Sequence, residues 1–253
     1  MIPENEIRRI ARINEVPITT IERDYAQNWL LNYLPEMVFK GGTCLRKIYF
    51  ENYRFSDDLD FTLSNNINAQ VLKDNIKYSI EKSRIESGIN FLDEFKIEEV
   101  INGYALVIYF RIIRTSGDPL KIKLDITKKE KEKIITKPLK KLIRNSYSDK
   151  LNKKILVYSL KEIFAEKTRS LFERTRPRDL YDVWFLKENI EFDENLFKKK
   201  CEFKKLKPKI NELLSRKTDF INSWENSLKH QLKELPNAEK TFRIVVKYLE
   251  EKI

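Results

Sequence analysis

Hydrophobic positions follow one rhythm in the first part of the chain and another after about residue 155. Near the N-terminus they recur at helical spacing. Tyr25, Trp29, Leu30 and Tyr33 share a face, Ile18-Thr-Thr-Ile-Glu-Arg-Asp-Tyr25 offers a threonine cap, and Pro35 ends the pattern, so residues 1–34 are predicted helical. Glu36-Met-Val-Phe39 predicts a short strand broken by Gly41-Gly42, after which Thr43 can cap a short helix through Leu45, Ile48 and Tyr49. Leu59-Asp-Phe-Thr-Leu63 alternates as a strand does, and a helix near 68–85 follows. Phe95–Ile101 and Tyr104–Ile113 flank Asn102-Gly103, a strong two-residue hairpin signal. Gly117-Asp-Pro turns the chain into Leu120–Thr127, which alternates again.

Helical periodicity then takes over. Ser159-Leu-Lys-Glu162 has the form of a capping box opening a helix to about Arg174. Arg178–Leu186, 194–216, 218–234 and 237–252 are predicted as further helices, punctuated by Pro177, Pro208 and Pro236. The fold class expected is α+β: a mixed sheet with flanking helices over residues 1–150, followed by a mainly helical C-terminal domain over 151–253.

Composition narrows the function. Hydrophobic residues make up 41% of 253, enough for a real core beside 35% charged residues. No run of 18 apolar residues offers a membrane span, and Met-Ile-Pro-Glu-Asn-Glu lacks the pattern of a signal peptide. Cys44 and Cys201 are the only cysteines, which fits a reducing, cytoplasmic setting. The single histidine, His230, argues against a histidine-rich zinc site. Net charge is +11 and unevenly placed: residues 121–154 carry 13 Lys/Arg against 4 Asp/Glu, and 198–217 carry 9 against 2. Such clusters attract phosphate backbones, a reading that stands somewhat ahead of merely solvated basic faces.

Candidate chemistry comes from strand parity. Alternate strand residues share a face, so Asp58, Asp60 and Thr62 point one way while Leu59, Phe61 and Leu63 point into a core. The same parity groups Lys121, Lys123 and Asp125 against Ile122, Leu124 and Ile126. If the two strands are neighbours, three carboxylates converge, and a divalent cation with phosphate co-ligands would offset their repulsion. Oxygen-only ligation suits Mg²⁺, and two ions could serve a hydroxyl nucleophile and a leaving pyrophosphate. Asp125 could instead take the hydroxyl proton. A bare Asp-x-Asp is common; its setting after a Gly-Gly turn, with a third aspartate on a later strand, makes it specific. The turn lets backbone approach a triphosphate closely, with the Thr43 hydroxyl and helix amides as donors.

Lys40-Gly-Gly-Thr43-x-Leu45 followed by Arg54-Phe-Ser56-x-Asp58-x-Asp60-Phe resembles the AbiEii/AbiGii toxin-type nucleotidyltransferases of the DNA polymerase β-like superfamily. Glu22-Arg-Asp-Tyr25, Glu166-Lys-Thr and Arg178-Asp-Leu-Tyr-Asp182 resemble that family in order and spacing, over about residues 15–190. Many superfamily members carry Gly-Ser where this chain has Gly42-Thr43, and their gap to the first aspartate is shorter.

The resemblance implies Asp58, Asp60 and Asp125 as catalytic metal ligands, with Gly41, Gly42, Thr43, Ser56, Lys167, Arg178 and Asp182 toward the nucleotide. It also implies an NTP substrate, the 3′ end of tRNA as acceptor, and a separate antitoxin protein that need not touch the toxin. Lys167 is singled out independently: it falls on the apolar stripe of Leu160, Ile163, Phe164 and Leu171, where it must either snorkel or meet an anion. Asp179 and Asp182 either support Lys167 or simply favour a helix start. The reading is a Mg²⁺-dependent transfer of a nucleoside monophosphate, in a site built from both halves. The alternatives are a small-molecule or protein acceptor, or an inactive nucleotide- or RNA-binding module.

Overall fold

The computed structural model describes all 253 residues, in two compact units: Met1–Ile134 with Pro138–Tyr158, and Ser159–Ile253 with Ile135–Lys137.

The first unit is built on a seven-stranded mixed sheet. Its strands are β1 (Val38–Lys40), β2 (Asp58–Thr62), β3 (Asn90–Val100), β4 (Gly103–Arg111), β5 (Leu120–Thr127), β6 (Leu139–Leu142) and β7 (Lys154–Val157), in the order β3-β4-β5-β2-β1-β7-β6. Four helices accompany it: α1 (Glu4–Asn14), α2 (Ile18–Tyr33), α3 (Gly41–Cys44) and α4 (Ala69–Ser87). The central pair is parallel, β2 with β5, while β1 runs antiparallel to β2 and β4 antiparallel to β5. Alternation builds the core as expected: Leu59, Phe61, Ile122, Leu124 and Ile126 are all buried, on the side where α2 packs on α4 and β5. Each such side chain withdrawn from water contributes roughly 1.5–3 kcal/mol.

Several local expectations shift. The stretch 1–34 is two helices, parted where Glu15 takes a left-handed φ of 51° and Pro17 stands as the cap of α2, in place of a threonine. The first strand starts two residues later than its pattern suggested. The hairpin loop is Ile101-Asn102, because Val100 pairs with Gly103. Gly103 is instead the first residue of β4, at φ 153°, where a Cβ would sit 2.0 Å from the Ile126 carbonyl oxygen, so tight packing against β5 demands glycine there. The sheet also continues past residue 150 through β7, which lies parallel to β1. Neither β6 nor β7 shows alternation over its four residues.

The second unit is helical: α5 (Leu160–Glu173), α6 (Pro177–Asn189), α7 (Glu194–Phe203), α8 (Ile210–Ser215), α9 (Lys217–Asn222), α10 (Trp224–Leu228) and α11 (Ala238–Glu250). The expected helix over 194–216 is broken at 204–209, where Lys205 has φ 53° and Pro208 removes a donor. The expected 218–234 helix is three short turns. Ser159 caps α5 by accepting from the Glu162 amide at 3.2 Å, but Glu162 does not return the bond. Its carboxylate accepts instead from the amides of Ile135 (2.8 Å) and Thr136 (2.9 Å) and pairs with fully buried Lys200 at 2.8 Å. Half of the capping box is thereby diverted to anchor residues 135–137. Phe164, Phe192, Phe197 and Tyr248 form the aromatic centre of this unit.

Candidate functional site

β2 and β5 are direct neighbours, and their register sets Asp60 opposite Asp125 and Asp58 opposite Lys123. Asp58, Asp60, Lys121, Lys123 and Asp125 are all half-buried or exposed, whereas the residues between them are buried. The three carboxylates therefore share one face at the centre of the sheet. Thr62, on the same parity as Asp58 and Asp60, is fully buried, with its hydroxyl 2.9 Å from that of Tyr158. The open part of the face thus ends at Asp60.

The Gly-Gly turn lies beside this row. β1 pairs Lys40 with Asp60, and the chain then enters α3. Gly41 has φ +78°, and a Cβ added to it would lie 2.1 Å from Asp60 Oδ2. A Cβ on Gly42 would meet an Arg54 guanidinium nitrogen at 2.5 Å and Ser56 Oγ at 3.2 Å. Two glycines therefore let backbone run directly against a carboxylate and a buried arginine. Thr43 is fully buried and donates its hydroxyl to the Asp58 carbonyl, so that hydroxyl ties the turn to β2; the expectation had aimed it at phosphate. Cys44 packs behind the turn, where burial and then the nearby Asp60 charge push its thiol well above the ordinary range; no nucleophilic thiol results.

The polar face of α2 gives the Glu22-Arg-Asp-Tyr25 resemblance a structural role and extends it to Gln27 and Asn28. Glu22, Asp24, Gln27 and Asn28 are all buried. Asp24 holds Lys47 at 3.0 Å and Arg46 at 3.2 Å, both on the single π-turn Leu45–Tyr49 that continues α3, and it accepts from Tyr147 at 2.8 Å. Burial pulls the Lys47 ammonium down to about 8, with Asp24 partly holding it up. Burial acts on the Asp24 carboxyl in the opposite sense, but Lys47 and Arg46 outweigh it and keep the group ionised. Gln27 donates to the carbonyls of Ser56 (3.1 Å) and Asp57 (3.0 Å), while Arg23 joins Asp57 (2.7 Å) to the Lys121 carbonyl (3.1 Å). Thus α2 grips the π-turn that follows α3, the lead into β2 and the start of β5. Consecutive polar residues at 22–24 and 27–28 were the available signal; helical periodicity had drawn attention to Tyr25 and Trp29 instead.

In the second unit, Lys167 finds its anions within the protein. Its ammonium lies 2.7 Å from Asp179 and 2.9 Å from Asp182, both buried, and Arg174 approaches Asp179 at 2.8 Å. Burial alone would raise the Asp179 carboxyl, but Lys167 and then Arg174 hold it well below the usual carboxylate range. Arg178 is half-buried in the first turn of α6.

The donor set at the sheet centre is carboxylate oxygen throughout, which fits a hard cation such as Mg²⁺; the space beside Gly41 is filled by the Asp60 carboxylate. As the side chains stand, no three Asp, Glu, His or Cys residues close around one point. The backbone register is right for convergence, and a shared cation would have to draw the carboxylates inward.

The family described as "Nucleotidyl transferase AbiEii toxin, Type IV TA system" matches residues 25–248. Among solved structures, MenT4, a nucleotidyltransferase toxin from Mycobacterium tuberculosis, is similar at TM-score 0.66 and 19% identity, covering 99% of this chain and 90% of that one. JHP933 from Helicobacter pylori is similar at TM-score 0.56 and 20% identity, covering 93% and 95%. At those identities the likeness is one of fold. No curated protein sequence matches this chain. No helix is long and apolar enough to cross a membrane.

Proposed function

From the premise that this chain belongs to the AbiEii family of nucleotidyltransferase toxins of toxin–antitoxin systems, we propose that it transfers a nucleoside monophosphate from an NTP to a hydroxyl at the 3′ end of tRNA, using Mg²⁺. The observation that carries this reading is the Asp60–Asp125 pairing on adjacent parallel strands, with the Gly41 backbone pressed against Asp60.

Bound Mg²⁺ would neutralise the triphosphate and lower the cost of the developing charge. Asp58, Asp60 and Asp125 would hold it. The protein's own groups do the rest. The Gly41-Gly42 turn, bordered by Asp60, Arg54 and Ser56, is assigned to the triphosphate on the family resemblance. Asp125, the most exposed of the three carboxylates, takes the proton of the acceptor hydroxyl. The freed oxygen forms a bond to the α-phosphorus as the bond to the pyrophosphate oxygen breaks, and pyrophosphate leaves. In the second unit, two carboxylates fix the Lys167 ammonium in place, and Lys167, Arg178 and Asp182 are assigned to the nucleotide on the family resemblance.

The decisive assay incubates the protein with each labelled NTP, Mg²⁺ and total tRNA. Label should enter RNA with one favoured NTP, and the signal should vanish in Asp58→Ala and Asp60→Ala while circular dichroism stays unchanged. Transfer retained in both variants would defeat the metal-ligand assignment. Label entering protein or a small molecule, but not RNA, would move the acceptor.

A further inference from the structure

The face that carries the carboxylates does not stop at β5. In β4 the residues Tyr104, Leu106, Ile108 and Phe110 are buried, while Ala105, Val107, Tyr109 and Arg111 alternate with them on the less covered side. Register extends each row across strands. Asp60 and Asp125 continue to Ala105; Asp58 and Lys123 continue to Val107 and exposed Lys96; Lys121 stands directly opposite Tyr109; Arg111 lies one row beyond. Moving along β5 from Asp125, the sheet therefore presents Lys123 and Lys96 in one row with Asp58, then Lys121 with Tyr109, then half-buried Arg111, while exposed Glu98 stands opposite Ala105 in the Asp125 row. Rows on one face are about 6.7 Å apart, since each is two strand residues on. That step is comparable to the distance between successive phosphates of an extended single strand.

The two flanks of the carboxylates differ in kind. On the β1 flank, glycines press backbone against Asp60 and buried Arg54. On the β5–β4 flank, exposed cations border a half-buried aromatic ring, the combination that holds single-stranded nucleic acid by phosphate attraction and base stacking.

We propose that the open face formed by Lys121, Lys123, Tyr109 and Lys96 is the acceptor track, on which the single-stranded 3′ end of an RNA lies with its terminal hydroxyl toward Asp125 and a penultimate base on Tyr109. This rests on the reading of the chain as an RNA-directed nucleotidyltransferase. It assigns the acceptor to one face of the sheet and not to the whole basic stretch 121–154. β6, with Lys140 and Lys141, lies at the far edge of the sheet, four strands from β5, and is outside the track.

The test is binding of a fluorescein-labelled RNA hairpin with a four-nucleotide 3′ overhang, followed by anisotropy without NTP or metal over a range of salt. Lys121→Gln with Lys123→Gln should weaken binding and lower the salt slope by about 0.7 for each lost phosphate contact. Tyr109→Ala should weaken binding roughly 5- to 100-fold with the slope unchanged, Tyr109→Phe should restore it, and a blunt hairpin should be insensitive to both. Lys140→Gln with Lys141→Gln should leave overhang binding as in the wild type. If the wild type binds the overhang and the track variants bind it equally well, the track is wrong while the RNA reading stands. If the wild type binds no RNA, both fall.

Discussion

Gly41→Ala isolates the link between backbone geometry and chemistry. The substitution adds one methyl group at φ +78°, with its Cβ 2.1 Å from Asp60 Oδ2 and 2.9 Å from Asp60 Cγ. A non-glycine residue in the left-handed region costs about 1–2 kcal/mol. The steric conflict adds less than its distances suggest, because the atoms in the way are the end of a side chain that can rotate. Rotation relieves the clash by moving the carboxylate. Stability should therefore fall by only about 1–2 kcal/mol, a drop in Tm of roughly 2–8 °C for a unit of this size. Activity should fall much further, on the order of 100-fold, because a catalytic carboxylate displaced by about 1 Å loses its aligned geometry. Thermal melts and single-turnover transfer from labelled NTP measure the two effects separately. In an Asp60→Ala background the two shortest contacts are gone, so Gly41→Ala should there cost less than it does in the wild type. Wild-type transfer by Gly41→Ala with an unchanged Tm would refute the reasoning.

Lys167→Ala leaves Asp179 and Asp182 buried without their shared cation, and should destabilise the protein by about 3–5 kcal/mol in urea titration. Asp179 sets an acid limb: its folded carboxyl titrates below the ordinary value of 3.8, so its stabilisation is complete above about pH 4 and is lost as pH falls below that, and Asp179→Asn should flatten the fall in Tm between pH 4 and 2. Arg23→Ala removes the bridge from Asp57 to the Lys121 carbonyl, so it should lower kcat by roughly 10-fold or more with little change in KM for NTP; an altered KM at constant kcat would count against a role in holding β2 to β5.

How much of the site could be read in advance depended on how local its causes are. Strand parity grouped Asp58 with Asp60 and Lys121 with Asp125, because alternation follows from the pleat and needs no partner. The hairpin was legible to within one residue; its offset arose because Gly103 is required by the approach of β5, which no local turn rule contains. β6 and β7 were illegible because four residues give no period, and their pairing in the sheet is what makes them strands. Thr43 and Glu162 were each read for a local role, and each side chain was taken by a distant backbone: Thr43 by the Asp58 carbonyl, Glu162 by the amides of residues 135 and 136.

The sequence by itself determined the chemical inventory: three aspartates on strand faces, a Gly-Gly turn, and a lysine stranded on an apolar stripe. It also determined the order of the elements from α2 to β5, since periodicity and glycine or proline breaks act within a few residues. Only the tertiary structure decided that β2 and β5 are parallel neighbours with Asp60 opposite Asp125, and that α2 grips the π-turn, the lead into β2 and the start of β5. It alone decided that Lys167 is caged by Asp179 and Asp182. Those outcomes depend on pairings between residues up to 98 apart in the chain, as from Arg23 to Lys121, which desolvation and hydrogen-bond satisfaction select after collapse and which no window of sequence contains.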